Sequence, residues 1–141
     1  MITFKQFLLE KEYWGKQAAG AIIKAKDTGR YLLAYRSADV FEPHTWGIWG
    51  GKIDGEESPT EAIIREIEEE LGDIKLSNPP KFLWLYKDGD FKYYNYLVVV
   101  DKEFTPNLNW ETEKSGWFEL DKFPKPLHFG LKALLDRKIL F

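Results

Sequence analysis

The 141-residue chain reads as an α/β domain, a mixed β-sheet with helices packed on it. Three observations lead there. Paired strands alternate with helices along the chain, an order that places helices over a sheet. Hydrophobic residues make up 44% of the sequence and aromatic residues 16%, enough for a packed core at this length. No repeat, linker or low-complexity tract interrupts residues 1–141, so one domain is expected.

The elements follow in order. Thr3 and Gln6 can form a capping box, and Phe4, Phe7 and Leu8 then share a face, predicting a short helix over 4–11. Ala18–Ile23 and Tyr31–Tyr35 are β-rich runs around a turn containing Gly29, a hairpin pattern. Residues 37–45 carry Pro43 and His44 and read as a loop. Trp46–Trp49 reads as a short aromatic strand running into Gly50 and Gly51. Ser58, Pro59 and Glu61 supply an N-cap, a first-turn proline and a capping-box acid, so a helix starts there and runs to about Leu71, stopping at Gly72. Phe82–Tyr86 and Lys92–Val100 form a second hairpin around Lys87-Asp88-Gly89-Asp90, with Asp-Gly at the turn. Residues 105–115 read as a polar loop and Trp117–Leu120 as a short strand. Leu127–Arg137 is an amphipathic helix with Leu127, Leu131, Leu134 and Leu135 on one side.

Residues 51–73 carry the most information. Gly51, Glu57, Arg65, Glu66, Glu69, Glu70 and Gly72 stand at fixed offsets, and three of the four carboxylates fall within one helical turn. Such a cluster repels itself unless a multivalent cation sits among the acids, and carboxylate-rich metal sites commonly handle phosphates. On a helix at about 100° per residue, Ile63, Ile64, Ile67 and Leu71 cover one arc. Glu66, Glu69 and Glu70 cover the neighbouring arc, and Glu61 and Glu68 point further round. With Glu56 these last two read as a solvated face.

This pattern resembles the Nudix box of the MutT-like pyrophosphohydrolases: Gly, five residues, Glu, seven residues, then Arg-Glu-hydrophobic-any-Glu-Glu-any-Gly-hydrophobic. Gly51, Glu57, Arg65, Glu66, Ile67, Glu69, Glu70 and Gly72 match. Asp73 departs from the last hydrophobic position, and Ile74 follows one place late. At usage of roughly 7% per residue type, seven fixed positions coincide on the order of once in 10⁸ starts. The resemblance implies a Nudix-type α/β/α sandwich with a mixed sheet. It also implies Mg²⁺ as cofactor, with Mn²⁺ as a substitute, and hydrolysis of a phosphoanhydride.

Roles implied by the resemblance follow residue by residue. Glu66, Glu69 and Glu70 are metal ligands, and one of them can activate the attacking water. Glu57 supports the site through metal-bound waters or by pairing with Arg65, and Arg65 orients a carboxylate. Gly51 offers its carbonyl and permits close approach of phosphate or metal. A further acid commonly precedes a Trp-Phe strand in this family; here Glu111 or Glu113 precedes Trp117-Phe118, as an additional ligand or the general base, with Glu113 preferred as base and Glu66 as its competitor. For substrate binding, Arg36 is a candidate phosphate contact, and Trp46, Trp49 and Phe41 are candidate stacking partners for a base. The second reading of these aromatics is core.

Composition narrows the function classes. With zero cysteines there is no disulfide, thiolate nucleophile or cysteine zinc site, and His44 and His128 alone do not make a histidine-rich one. The charged start MITFKQFLLEKEYW does not read as a secretory signal, no run reaches membrane-span length, and a cytoplasmic location is the expectation. A net charge of −3 argues against general nucleic-acid binding but allows a local basic pocket. The expected substrate is a small nucleotide in which a nucleoside diphosphate is linked to another moiety. No proline lies between Lys81 and Thr105, where ADP-ribose hydrolases of the family carry a marker, and the Ser-Gln-Pro-Trp motif of NADH-cleaving members is missing. (Deoxy)nucleoside triphosphates therefore stand slightly ahead of ADP-ribose, nucleotide sugars, dinucleoside polyphosphates and RNA 5′ ends. A catalytically silent nucleotide-binding domain is the rival from another class. The sequence leaves the oligomeric state open.

Overall fold

A computed structural model of the chain describes residues 17–40, 42–72, 74, 76 and 78–139. The helix expected over 4–11 lies outside them. The strands are β1 (Gln17–Ala25), β2 (Tyr31–Arg36), β3 (Trp46–Gly47), β4 (Trp49–Lys52), β5 (Lys81–Asp88), β6 (Phe91–Val100) and β7 (Thr112–Phe118). Two α-helices accompany them, α1 (Pro59–Leu71) and α2 (Phe129–Asp136), with a short 3₁₀ turn at Leu120–Lys122.

All seven strands join one mixed sheet, with β1 at its centre. Along one edge β1 runs parallel to β6, from Gln17 opposite Lys92 to Ala25 opposite Val100. Its other edge is shared. Ala18–Ala21 pair antiparallel with β4, Ala18 opposite Lys52 and Ala21 opposite Trp49, while Ile23 and Lys24 pair with Leu32 and Tyr31 of β2. The expected first hairpin therefore holds over only two residue pairs. Beyond them β2 turns to β3 on one edge and β7 on the other. The predicted strand 46–49 is divided at Ile48 because its two halves serve different partners, β2 and β1.

The second hairpin has a two-residue turn, Gly89-Asp90, with Asp88 already paired to Phe91. Glycine thus opens the turn instead of following aspartate into it. Strand β7 begins at Thr112, inside the stretch expected to be a loop, because β2 supplies hydrogen-bonding partners to a polar segment of low strand propensity. The last helix starts at Phe129, two residues later than expected, since His128 caps it: the imidazole Nδ1 accepts the Gly130 N–H at 3.0 Å. Among the described residues no helix is long and apolar enough to cross a membrane.

The sheet is covered on both faces. Ala19, Ala21 and Ile23 of β1, with Val98 and Val100 of β6, pack under Ile63, Ile67 and Leu71 of α1. Ile22, Leu33 and Trp46 pack with Leu131 of α2 on the opposite face. Burial of both faces explains why β1 reads as a continuous apolar run without alternation. Trp49 anchors β4 beneath α1. It is fully buried and its indole N–H donates to the Leu32 carbonyl at 2.9 Å. Burying a tryptophan of this kind contributes about 4–6 kcal/mol of transfer free energy. That exceeds any exposed ion pair and holds the Gly50–Gly51 backbone firmly beside the helix.

Candidate active site

Helix α1 begins at a complete capping box. The Ser58 hydroxyl accepts the Glu61 N–H at 3.1 Å, and the Glu61 carboxylate accepts the Ser58 N–H at 2.9 Å. The helix ends at Gly72, whose N–H reaches the Glu68 carbonyl at 3.0 Å. Its buried residues are Ala62, Ile63, Ile67, Glu70 and Leu71. Ile64, expected in the apolar stripe, is 39% exposed. The helix is therefore rolled so that its carboxylate edge, and not Ile64, turns toward the sheet.

Two glycines of β4 make that roll possible. A Cβ on Gly51 would stand 2.8 Å from a Glu66 carboxylate oxygen. Gly50 has φ 153°, and a Cβ there would collide with the Ala19 carbonyl oxygen. With no side chains in the way, Glu70 Oε1 accepts the Gly50 N–H at 3.1 Å, and Glu66 lies against Gly51.

The electrostatics follow from this burial. Glu70 is 6% exposed and the Glu66 side chain 12%. The two carboxyls lie near enough to affect each other's ionisation. Burial raises the proton affinity of both, and for Glu70 the charges of Glu66 and Glu111 push it well above the ordinary carboxyl value. Glu111 is raised by burial as well, with Arg36 opposing and Glu69 reinforcing the shift.

Arg65 organises the outer side of the cluster. Its Nε and Nη2 donate to the two oxygens of Glu57 at 2.8 and 2.9 Å, Nη1 donates to Glu66 at 3.0 Å and Glu69 at 3.2 Å, and Nη2 also reaches the Lys52 carbonyl at 3.0 Å. Glu57 also accepts the Asp54 N–H, and its acidity is strengthened first by Arg65 and then by that bond. Both Glu57 oxygens are thus engaged by protein donors. Of the two roles expected for Glu57, the pairing with Arg65 is the one present here.

A cleft of about 290 Å³ is lined by Gly50, Gly51, Lys52, Asp54, Glu66, Glu69 and Glu111. Behind it, a space of about 20 Å³, room for one water, touches Arg36, Glu70, Tyr93, Glu111, Thr112 and His128. As they stand, no three histidine or acidic side chains among the described residues form a group that could hold a metal. The donor chemistry nevertheless fits a hard divalent cation. Glu66, Glu69, Glu70 and Glu111 are all-oxygen donors beside the Gly50–Gly51 backbone. On the outer side Arg65 supplies positive charge to this cluster.

The other expected site residues divide. Arg36 reaches the rear of the cleft near Glu111. Glu113 does not join the carboxylates: its side chain is 56% exposed and lies 3.9 Å from His44. Strand alternation alone would put Glu111 and Glu113 on one face. The register shift at this end of β7, with Arg36 opposite Thr112 and Tyr35 opposite Lys114, leaves Glu113 as an extra residue and turns it away. Trp49 belongs to the core, and Trp46, 9% exposed, packs on Tyr35 and Phe118. Neither presents a face to a ligand, a correction to their expected stacking role. Phe41 lies outside the described residues. Lys52, Asp54 and His128 were not anticipated. Reading 49–52 as a strand end in its own right places Lys52 and Asp54 at the cleft; nothing in the sequence marks His128, which is brought there by α2.

A family model of the NUDIX domain matches residues 15–138. The chain is 38% identical over 136 residues to a Mycobacterium tuberculosis protein provisionally named 8-oxo-dGTP diphosphatase 3, covering 89% of this chain and 63% of that protein. It is 36% identical over 95 residues to the m7GpppN-mRNA hydrolase dcap-2 of Caenorhabditis elegans, covering 64% of this chain and 12% of that one. It therefore spans less than two thirds of the length of either relative. The crystal structure of the MutT NUDIX hydrolase from Burkholderia pseudomallei superimposes with a TM-score of 0.65 at 29% identity, over 86% of this chain and 98% of the other.

Proposed function

The chain belongs to the Nudix family, and from that premise we propose that it hydrolyses a phosphoanhydride bond in a nucleoside diphosphate linked to another moiety, with (deoxy)nucleoside triphosphates favoured. Mg²⁺ is the proposed cofactor, replaceable by Mn²⁺. One observation carries this reading. Glu66 and Glu70 are buried as a pair against Gly50 and Gly51, with Glu69 and Glu111 lining the same cleft. Burying like charges is unfavourable, so such a cluster fits a protein that holds a cation there.

Glu66, Glu69, Glu70 and Glu111 would hold the cation. When bound, it supplies neutralisation of phosphate oxygens and a more acidic water. The chain's own contribution is positioning. The Gly50 N–H aims Glu70, and the Arg65 fork fixes Glu57, Glu66 and Glu69 relative to one another. Glu111, which lines both the carboxylate cleft and the small space behind it, is placed to accept the proton from an attacking water if Glu66, Glu69 and Glu70 hold the cation. Arg36, near Glu111, is placed to balance negative charge at the rear of the cleft. Triphosphates remain the preferred class because one relative's name specifies 8-oxo-dGTP, while that of the other specifies a capped mRNA.

The test is a panel of nucleoside triphosphates, ADP-ribose, nucleotide sugars, dinucleoside polyphosphates and capped RNA, incubated with Mg²⁺ or Mn²⁺ in ¹⁸O-labelled water. Mass spectrometry reads the products. The expected result is a nucleoside monophosphate and pyrophosphate, or a diphosphate and phosphate, with one heavy oxygen at the attacked phosphorus. Nucleotide binding without turnover of any member would establish the silent-domain reading in its place.

A further inference from the structure

The carboxylate cleft is walled by charged side chains and glycine backbone, with no apolar or aromatic side chain to receive the organic part of a nucleotide. The aromatic candidates at its inner side, Trp46 and Trp49, are in the core. One ring stands outside. Trp110 is 61% exposed, the most exposed large apolar side chain among the described residues. It has no ring partner or indole hydrogen bond there. The other described tryptophans are engaged: Trp84 packs edge-on against Tyr86 with Arg137 over its ring, and Trp117 donates to the Phe104 carbonyl at 3.0 Å.

The backbone beneath Trp110 is held on both sides. Asn109 Oδ1 accepts the Glu111 N–H at 3.0 Å, the Asn109 carbonyl accepts the Thr112 N–H at 3.3 Å, and the Glu111 carbonyl accepts the Ser37 N–H at 3.0 Å. The next residue of that turn, Glu111, lines the cleft. A large flat ring is thus left in solvent, on a fixed turn, one residue from the acids.

We propose that Trp110 is the stacking platform for the flat ring of the substrate, the base of a nucleotide whose phosphates lie over the carboxylate cleft. This rests on the hydrolase reading and assigns it a binding residue. Stacking suits an exposed tryptophan because every base presents a π-face, so the platform tolerates different bases. Removing it weakens binding by about 5- to 100-fold.

The experiment compares wild type, Trp110→Ala and Trp110→Phe with several nucleoside triphosphates, using inorganic triphosphate as a ringless competitor. In Trp110→Ala, KM rises by about 5- to 100-fold with kcat within twofold, Trp110→Phe recovers most of the loss, and the inhibition constant of inorganic triphosphate is unchanged. An unchanged KM overturns the proposal. So does an equal loss for inorganic triphosphate, which means that the Glu111 turn has collapsed. If the wild type hydrolyses no nucleotide, the hydrolase reading fails separately. Calorimetric titration with a nucleoside monophosphate still decides the platform: weaker binding by Trp110→Ala supports it, and an equal Kd overturns it.

Discussion

Glu70 carries the sharpest conflict between stability and function. It is the most buried of the acidic cluster, and its neighbours Glu66 and Glu111 both oppose its ionisation. Glu70→Gln keeps the shape and an oxygen for the Gly50 N–H but removes the charge. We expect kcat to fall by roughly 10²–10⁴. In chelator the variant melts at the same temperature as wild type or higher, since a buried like charge has been removed. A fall of several degrees in a calorimetric scan would assign Glu70 a structural role instead. The base is tested at the same scale. Glu111→Gln lowers kcat by roughly 10²–10⁴ with little change in KM, whereas Glu113→Gln, on the solvent side beside His44, stays near wild type in steady-state kinetics. Equal losses in both variants would show that exposure does not separate them.

Among the elements, the β1–β2 turn is tied to the segment after β6 by Arg30, whose Nε and Nη2 both donate to Glu103, and by Thr28, which donates to the same carboxylate. These bonds lower the Glu103 pKa from its ordinary value of 4.5, the Arg30 hydrogen bond first. A carboxyl with a depressed folded pKa contributes stability above its unfolded value and loses it as pH falls through the folded one. Glu103→Gln is therefore expected to melt modestly below wild type at neutral pH, and the difference should close as pH drops below about 4.5. A pH-independent difference in melting temperature would mean that side-chain packing, not charge, makes the tie. The same scale explains why α1 was readable and β7 was not. Ser58, Pro59 and Glu61 are local signals that act within one turn. Strand β7 exists because β2, more than seventy residues earlier, offers it an edge.

Across the whole molecule, two helices on opposite faces clamp the central strand, and the acidic cluster sits where α1 meets β4. A ligand that binds only the folded protein stabilises it by mass action, about 2.7 kcal/mol at a hundredfold excess over Kd. For a domain of this size that corresponds to a rise in Tm of roughly 5–15 °C. Mg²⁺ or Mn²⁺ should therefore raise Tm, excess chelator should reverse the rise and abolish turnover, and Glu70→Gln should respond less. Full activity in excess chelator would refute cation dependence outright.

The sequence by itself determined the family, the α/β class, the start and end of α1, and the acids at Glu66, Glu69 and Glu70. All of these depend on short-range spacing, which a helix converts directly into a shared face. Only the tertiary structure decided which face was buried. The absence of side chains on Gly50 and Gly51 let α1 roll toward Glu66 and Glu70, exposing Ile64 that periodicity had assigned to the core. The division at Ile48, the burial of Trp46, and the separation of Glu111 from Glu113 arose in the same way. Each is set by which distant strand provides the hydrogen-bonding partner, and periodicity along the chain carries no record of that choice.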